Sequence, residues 1–205
     1  MKLMLMLVPV SLVYFFSFTP QQTPPFQNIQ YSVEHSDSST KQWIEDFKIF
    51  RSAVYQNDKA KVGGFFTFPV MNPSDEIWFL VLSEKEREAK KLTNNITPFT
   101  KSDFNKYYKK LFPPAFIKTI LKIKSAELFN KGETQSDPFK EGNTTHTMFA
   151  SVDKETSILS LNLSYNTVWK DENGEITDGG ESTVIYSFKI TDNAHLQFMY
   201  VRLAG

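Results

Sequence analysis

The chain contains no cysteine. Disulfides, thiol catalysis and cysteine-ligated zinc are excluded together. So is the lipid-bearing cysteine that follows a lipoprotein signal. An exported protein of this composition draws its stability from its core alone, which a chain of 205 residues manages without covalent staples. Net charge is also absent, since Lys+Arg and Asp+Glu stand at 23 each. No basic patch is visible along the chain, so no nucleic-acid surface is expected. Histidine is scarce. His35 lies in a polar tether, His146 in a Gly/Asn/Thr loop and His195 in a hairpin turn, all with flanks that read as exposed. No H-x-H or H-x-x-x-H spacing joins them, so neither a metal nor another cofactor is expected. The P-loop, the dinucleotide fingerprint and G-x-S-x-G are missing as well. No run of residues spells out a catalytic site.

What is present is aromatic. Apolar residues make up 40% of the chain and aromatics 15%, with 19 Phe. That is ample for a sizeable core and argues against disorder. One long apolar run occurs, Leu3–Phe18 behind Lys2, broken by Pro9, Ser11 and Ser17. It is long for the core of a signal sequence and short for a membrane span. We read residues 1–19 as a signal peptide, 20–39 as a disordered, Pro-containing tether and 40–205 as the folded domain. An uncleaved anchor and a buried segment are the alternatives for the first stretch. The expected location is secreted or periplasmic, with no stable membrane span once the signal is removed.

Ser38, Ser39 and Thr40 offer N-caps, and Trp43, Phe47, Phe50 and Val54 recur at helical spacing, so a helix is expected over roughly 40–56. Asp58–Val62 reads as a second short helix ended by Gly63-Gly64, and Phe65–Val70 as an extended apolar segment. Asn72–Asp75 reads as a turn. Glu76–Leu82 is β-rich and is expected to be a strand with Trp78, Leu80 and Leu82 on one face. The charged stretch Ser83–Lys91 reads as a solvated loop or short helix. Thr100 caps another amphipathic helix carrying Phe104, Tyr107, Tyr108 and Leu111. Pro113-Pro114 ends it, Ala115–Ile123 adds a helical turn or two, and residues 130–146 read as a polar loop.

Strands close the chain. In Ser157–Trp169 the residues Leu159, Leu161, Leu163, Tyr165 and Trp169 alternate with Ser160, Asn162, Ser164 and Asn166. A turn at 171–174, a strand over Glu181–Thr191, a turn at Asp192–His195 and a strand over Leu196–Leu203 complete an antiparallel meander. Helices first and a meander last make an α+β fold with helices on one sheet face.

The element order, the phrase Phe65-Phe66-Thr67-Phe68-Pro69, and the closing Tyr186-Ser-Phe188-Lys-Ile190-Thr-Asp192-Asn with Leu196, Phe198 and Val201 resemble the cystatin-like, nuclear-transport-factor-2-like superfamily. The resemblance is narrower still to its exported Bacteroides-type members of unknown function. It covers about residues 40–205 and implies a cone-shaped roll, a curved antiparallel sheet wrapped around a long helix. The open end of that cone is a pocket. Some members are isomerases or dehydratases that use an Asp or an Asp–His pair inside it, and others only bind. A homodimer through the open sheet face is an option the resemblance leaves.

Candidate residues follow from what a pocket needs. Tyr165, Tyr186 and Tyr200, with Trp78, are the ligand-binding candidates, although packing in the core or at a sheet edge is the plainer role of such residues. Asp46 could face the cone, but a solvated charge paired with Lys48 or Arg51 is the simpler reading. Phe65, Phe66 and Phe68 read as a segment entering the core rather than a binding lip. The sequons at Asn95, Asn143 and Asn162 read as chance. No residue is assigned to catalysis. The expected function is a non-enzymatic exported binding domain for a small apolar molecule, a glycan or a protein. The alternatives are a protein-partner module, such as an inhibitor or immunity protein, and an isomerase- or hydrolase-like enzyme.

Overall fold

The computed structural model describes residues 36–92, 96–170, 173 and 175–205. The expected signal peptide, the tether before residue 36, His35, Asn95 and most of the turn expected at 171–174 lie outside the described residues.

The helical part comes first. α1, Ser36–Tyr55, begins earlier than expected, so the serine-rich end of the proposed tether is helical. Trp43, Ile44, Phe47, Phe50, Ala53 and Val54 form its buried stripe, with Lys41, Glu45 and Lys48 opposite. α2, Lys59–Gly63, is capped by Asp58, whose carboxylate accepts the Lys61 N–H at 3.0 Å. Residues 65–70, expected as an extended segment, form no strand: a turn and bends are joined by isolated bridges, Phe66 to Phe198 and Val70 to Phe99.

Glu76–Leu82 is not a strand. After a 3₁₀ turn at Pro73–Asp75 the chain forms α3, Glu76–Val81, which buries Ile77, Trp78 and Val81. Those positions share one helical face. A short apolar run fits either period, and packing against β6 and α5 decides for the helix. α4, Glu84–Lys90, and α5, Lys101–Leu111, each open with a full capping box, Ser83 with Glu86 and Thr100 with Asp103. Phe104, Tyr108 and Leu111 are the buried face of α5, as their spacing requires. α6, Pro114–Ile120, and α7, Ser125–Lys131, complete the layer. Gly132 ends α7 in the left-handed region at φ 82°, where a side chain would be strained.

The region expected as a polar loop at 130–146 instead holds the end of α7, β1 (Glu133–Gln135), β2 (Phe139–Glu141) and the start of β3 (Thr144–Asp153). β1 and β2 are only three residues each and β3 opens on Thr144, Thr145 and Thr147, so alternation of apolar residues is muted there. β4 (Ile158–Lys170), β5 (Ile176–Ile190) and β6 (Leu196–Ala204) follow. The order is β1-β3-β4-β5-β6, with β2 also on β3, and every pair is antiparallel. The sheet is open and curved, with bulges between Asn166 and Val168 and between Ser187 and Phe188.

The inner sheet face carries Met148, Ala150, Leu159, Leu161, Leu163, Val184, Tyr186 and Phe188, all buried. α6 packs on β3, α7 on β1 and β3, and α1 and α3 on β6. The other face carries Thr147, Ser160, Asn162, Ser164 and Thr183. Trp169 breaks the expected inward series and is 56% exposed. The bulge shifts its phase, and beyond Thr167 neither β3 nor β6 flanks the hairpin. Its indole lies on Gly179, where an added Cβ would meet Nε1 at 2.0 Å.

Candidate functional site

The centre of the fold is filled with rings. Phe50 touches Phe65, Phe112 and Phe188 with centroids 5.0–5.8 Å apart, and Phe66 stacks on Phe198 at 4.3 Å. Two of the candidate tyrosines meet in this interior. Tyr186 on β5 is fully buried between Phe112 and Phe116, and its hydroxyl donates to the Leu111 carbonyl at 2.8 Å. Burial, then the neighbouring Tyr165, pushes its phenol well above the ordinary range. Tyr165 on β4 is half-buried, and burial pushes its phenol up to about 12.

His146 joins them and corrects the expectation of an exposed loop residue. It lies on β3 directly across from Tyr165, 5% exposed, stacked on Phe139 at 4.8 Å and edge-on to Tyr165 at 5.2 Å. Its Nε2 is 3.8 Å from Glu141, while Nδ1 has no partner. Burial lowers its pKa, with Lys118 acting in the same direction and Glu141 against it. The other two candidates lie elsewhere. Tyr200 is half-buried on the outer face opposite Ser187. Trp78 is a core residue of α3, whose Nε1 donates to the Thr97 carbonyl at 3.0 Å.

An open groove of about 350 Å³ sits at the end of the sheet. α1 supplies Trp43, α7 supplies Leu128 and Phe129, and Val152, Ile190 and Ala194 come from β3, β5 and the β5–β6 turn. Trp43 and Phe129 lie 6.0 Å apart, centroid to centroid. The walls are held by backbone bonds: Val152 N donates to Gly132 O at 2.7 Å and Ile190 N to Ser157 O at 2.8 Å. Lys154 and Ser157 are its polar side chains.

Beside the groove, next to Ala194 and one helical turn from Trp43, lies a pair that sequence reasoning missed. Asp46 is 8% exposed rather than solvated. Its Oδ2 is 2.9 Å from His195 Nδ1 and accepts the Leu196 N–H at 3.0 Å, while Oδ1 accepts from Gln42 at 3.1 Å. Its expected partners are occupied elsewhere: Lys48 pairs with Glu45 and Arg51 donates to the Ile123 carbonyl. An ionised carboxylate accepts only, so His195 Nδ1 is the donor in this pair. The ring is 59% exposed, as the turn position suggested. Such a pair can position an imidazole as a hydrogen-bond acceptor or general base. The signal for Asp46 was its place three residues after Trp43 and four before Phe50, on the buried stripe. For His195, 149 residues away, local sequence held none.

Among the described residues no group of three or more His, Cys, Asp and Glu converges as a metal site, and no helix is long and apolar enough to cross a membrane. No family model, curated protein or solved structure matches the chain.

Proposed function

We infer that the chain is an exported, non-enzymatic binding domain of cystatin-like, cone-shaped architecture that takes a small apolar ligand into the Trp43–Phe129 groove. The observation that carries this reading is the contrast between an interior filled with rings and an end groove walled by Trp43, Phe129, Leu128, Val152 and Ile190. Its volume suits a small ligand, and pockets of this class are apolar with a few polar groups. A broad, flat, apolar exposed sheet face would favour the protein-partner alternative. The outer face instead carries Ser, Thr and Asn around Phe149 and Tyr200.

The test is titration of the full chain with phenylnaphthylamine, a neutral apolar fluorophore. Saturable binding is expected, weakened at least about tenfold by Val152→Phe, which fills the groove. A groove-filling variant that binds as well as the parent sinks the proposal. The Asp46–His195 pair favours a second reading, an isomerase- or hydrolase-like enzyme with His195 Nε2 as base. Under that reading His195→Gln abolishes turnover of a carbonyl or ester substrate panel while leaving phenylnaphthylamine binding intact.

A further inference from the structure

On the reading of the Trp43 groove as a ligand site, we propose that its ligand is an alkanoate, whose chain lies along the aromatic and aliphatic walls and whose carboxylate meets Lys154 at the β3–β4 turn. Trp43, Phe129, Leu128, Val152 and Ile190 make the groove apolar. Its two polar side chains are gathered at one place. Lys154 and Ser157 are the first and last residues of the four-residue turn 154–157.

Lys154 carries the argument. Of the described residues that line the groove, it alone is charged. The residue is exposed, so its ammonium is open to a ligand. Its Cε lies 4.0 Å from where a Cβ on Gly132 would stand, so the end of its stem passes over another residue of the same wall. Among the described residues Lys154 has no hydrogen bond or ion pair. Other lysines near this end are engaged. Lys131 pairs with Glu127 at 2.6 Å, Lys48 pairs with Glu45 at 2.6 Å, and Lys189 donates to the Thr156 carbonyl at 2.7 Å. A lone ammonium beside an apolar wall gains most from an anion that arrives with an apolar body.

The acids around the groove do not take this place. Asp153 is folded into its own turn: Oδ1 accepts the Glu155 and Thr156 N–H groups at 2.9 and 3.2 Å, and Oδ2 accepts the Thr156 hydroxyl at 2.6 Å. Glu155 is exposed on the turn and does not line the groove. Asp46 lies beside the groove but is held by Gln42, His195 and the Leu196 N–H. No acidic side chain lines the groove, so an anionic head meets no carboxylate in its wall. Ser157 adds a hydroxyl on a backbone in the left-handed region at φ 53°, fixed by the Ile190 N–H on its carbonyl. One ammonium and one hydroxyl suit a single carboxylate, and walls with no further polar side chain suit a hydrocarbon chain.

The test is displacement of phenylnaphthylamine from the full chain by decanoate and by decanol, in the parent and in Lys154→Gln. Both are expected to displace the probe from the parent. Lys154→Gln is expected to weaken decanoate roughly two- to fivefold relative to decanol, the range of an exposed ion pair. Added salt should weaken decanoate in the parent and leave decanol, and decanoate in the variant, unchanged. Lys154 has no internal partner, so the thermal midpoint of Lys154→Gln should match the parent, which separates lost binding from lost folding. Failure of phenylnaphthylamine itself to bind would sink the groove reading and this inference together. A bound probe with the same decanoate-to-decanol ratio in parent and Lys154→Gln would overturn this inference alone. So would decanoate that leaves the bound probe in place.

Discussion

The interior around His146 and the groove end around His195 place the same side chain in opposite conditions. His146 is buried between Phe139 and Tyr165 with Nδ1 unpartnered. His195 is mostly exposed, with Nδ1 held by a buried carboxylate. In the sequence both sit among turn-forming residues and look alike. The difference teaches that, in this fold, packing decides which polar groups are available for chemistry. The interior spends its aromatic residues on closure, and the end of the sheet keeps an apolar groove and an outward imidazole.

The contrast between closed interior and open end can be broken most forcefully at Phe50. Its ring is fully buried among Phe65, Phe112 and Phe188. Phe50→Ala is expected to cost about 3–5 kcal/mol in denaturant unfolding. A loss below about 1 kcal/mol would mean that the interior can collapse or is not filled.

Asp46→Ala comes next. It removes the acceptor for Leu196 N and for His195 Nδ1, so a loss of about 1.5–3 kcal/mol is expected. His195→Ala should lose well under half of that, because its ring is mostly solvated and the Leu196 bond survives. Equal losses in the two variants would show that the pair, rather than the backbone anchor, dominates.

Tyr186→Phe deletes the bond to the Leu111 carbonyl and should cost about 0.5–1.5 kcal/mol by the same assay. The corresponding change at the unpartnered Tyr108 should cost nothing. Reversal of that order would exchange the roles assigned to the two phenols.

The smallest effect expected is a pH dependence. The pKa of His146 is lowered from 6.5 in the folded chain, so the unfolded chain binds the proton first. Its contribution to stability is complete above 6.5 and falls as the pH drops below that value. Comparing thermal midpoints across this range with those of His146→Phe should show a shallower acid loss in the variant. Identical slopes would mean that protonation is accommodated, for instance by Glu141, 3.8 Å from Nε2.

Much of the fold was legible. The Trp43–Val54 spacing, the Thr100 cap and the alternation in β4 each encode a period or a boundary that nearby residues suffice to set. Less of the site was legible. Tyr165 and Tyr186 were found as inward phenols, but alternation could not tell that rings from α5 and α6 would close over them. The Trp43 groove unites residues between 43 and 194 and has no local signature. The β1–β3 region was read as loop because its threonines and asparagine carry little alternation.

By itself the sequence determined an α+β chain with its helices first, its strands in an antiparallel meander and the inward face of most elements, because periodicity and caps act over a few residues. Only the tertiary structure decided that Glu76–Val81 is helical, that Asp46 is buried against the His195 turn, that Trp169 lies outside, and that the phenol of Tyr108 has no partner. The physical reason is that a spacing states which face of an element is apolar, whereas burial, pairing and pocket shape depend on what later reaches that face.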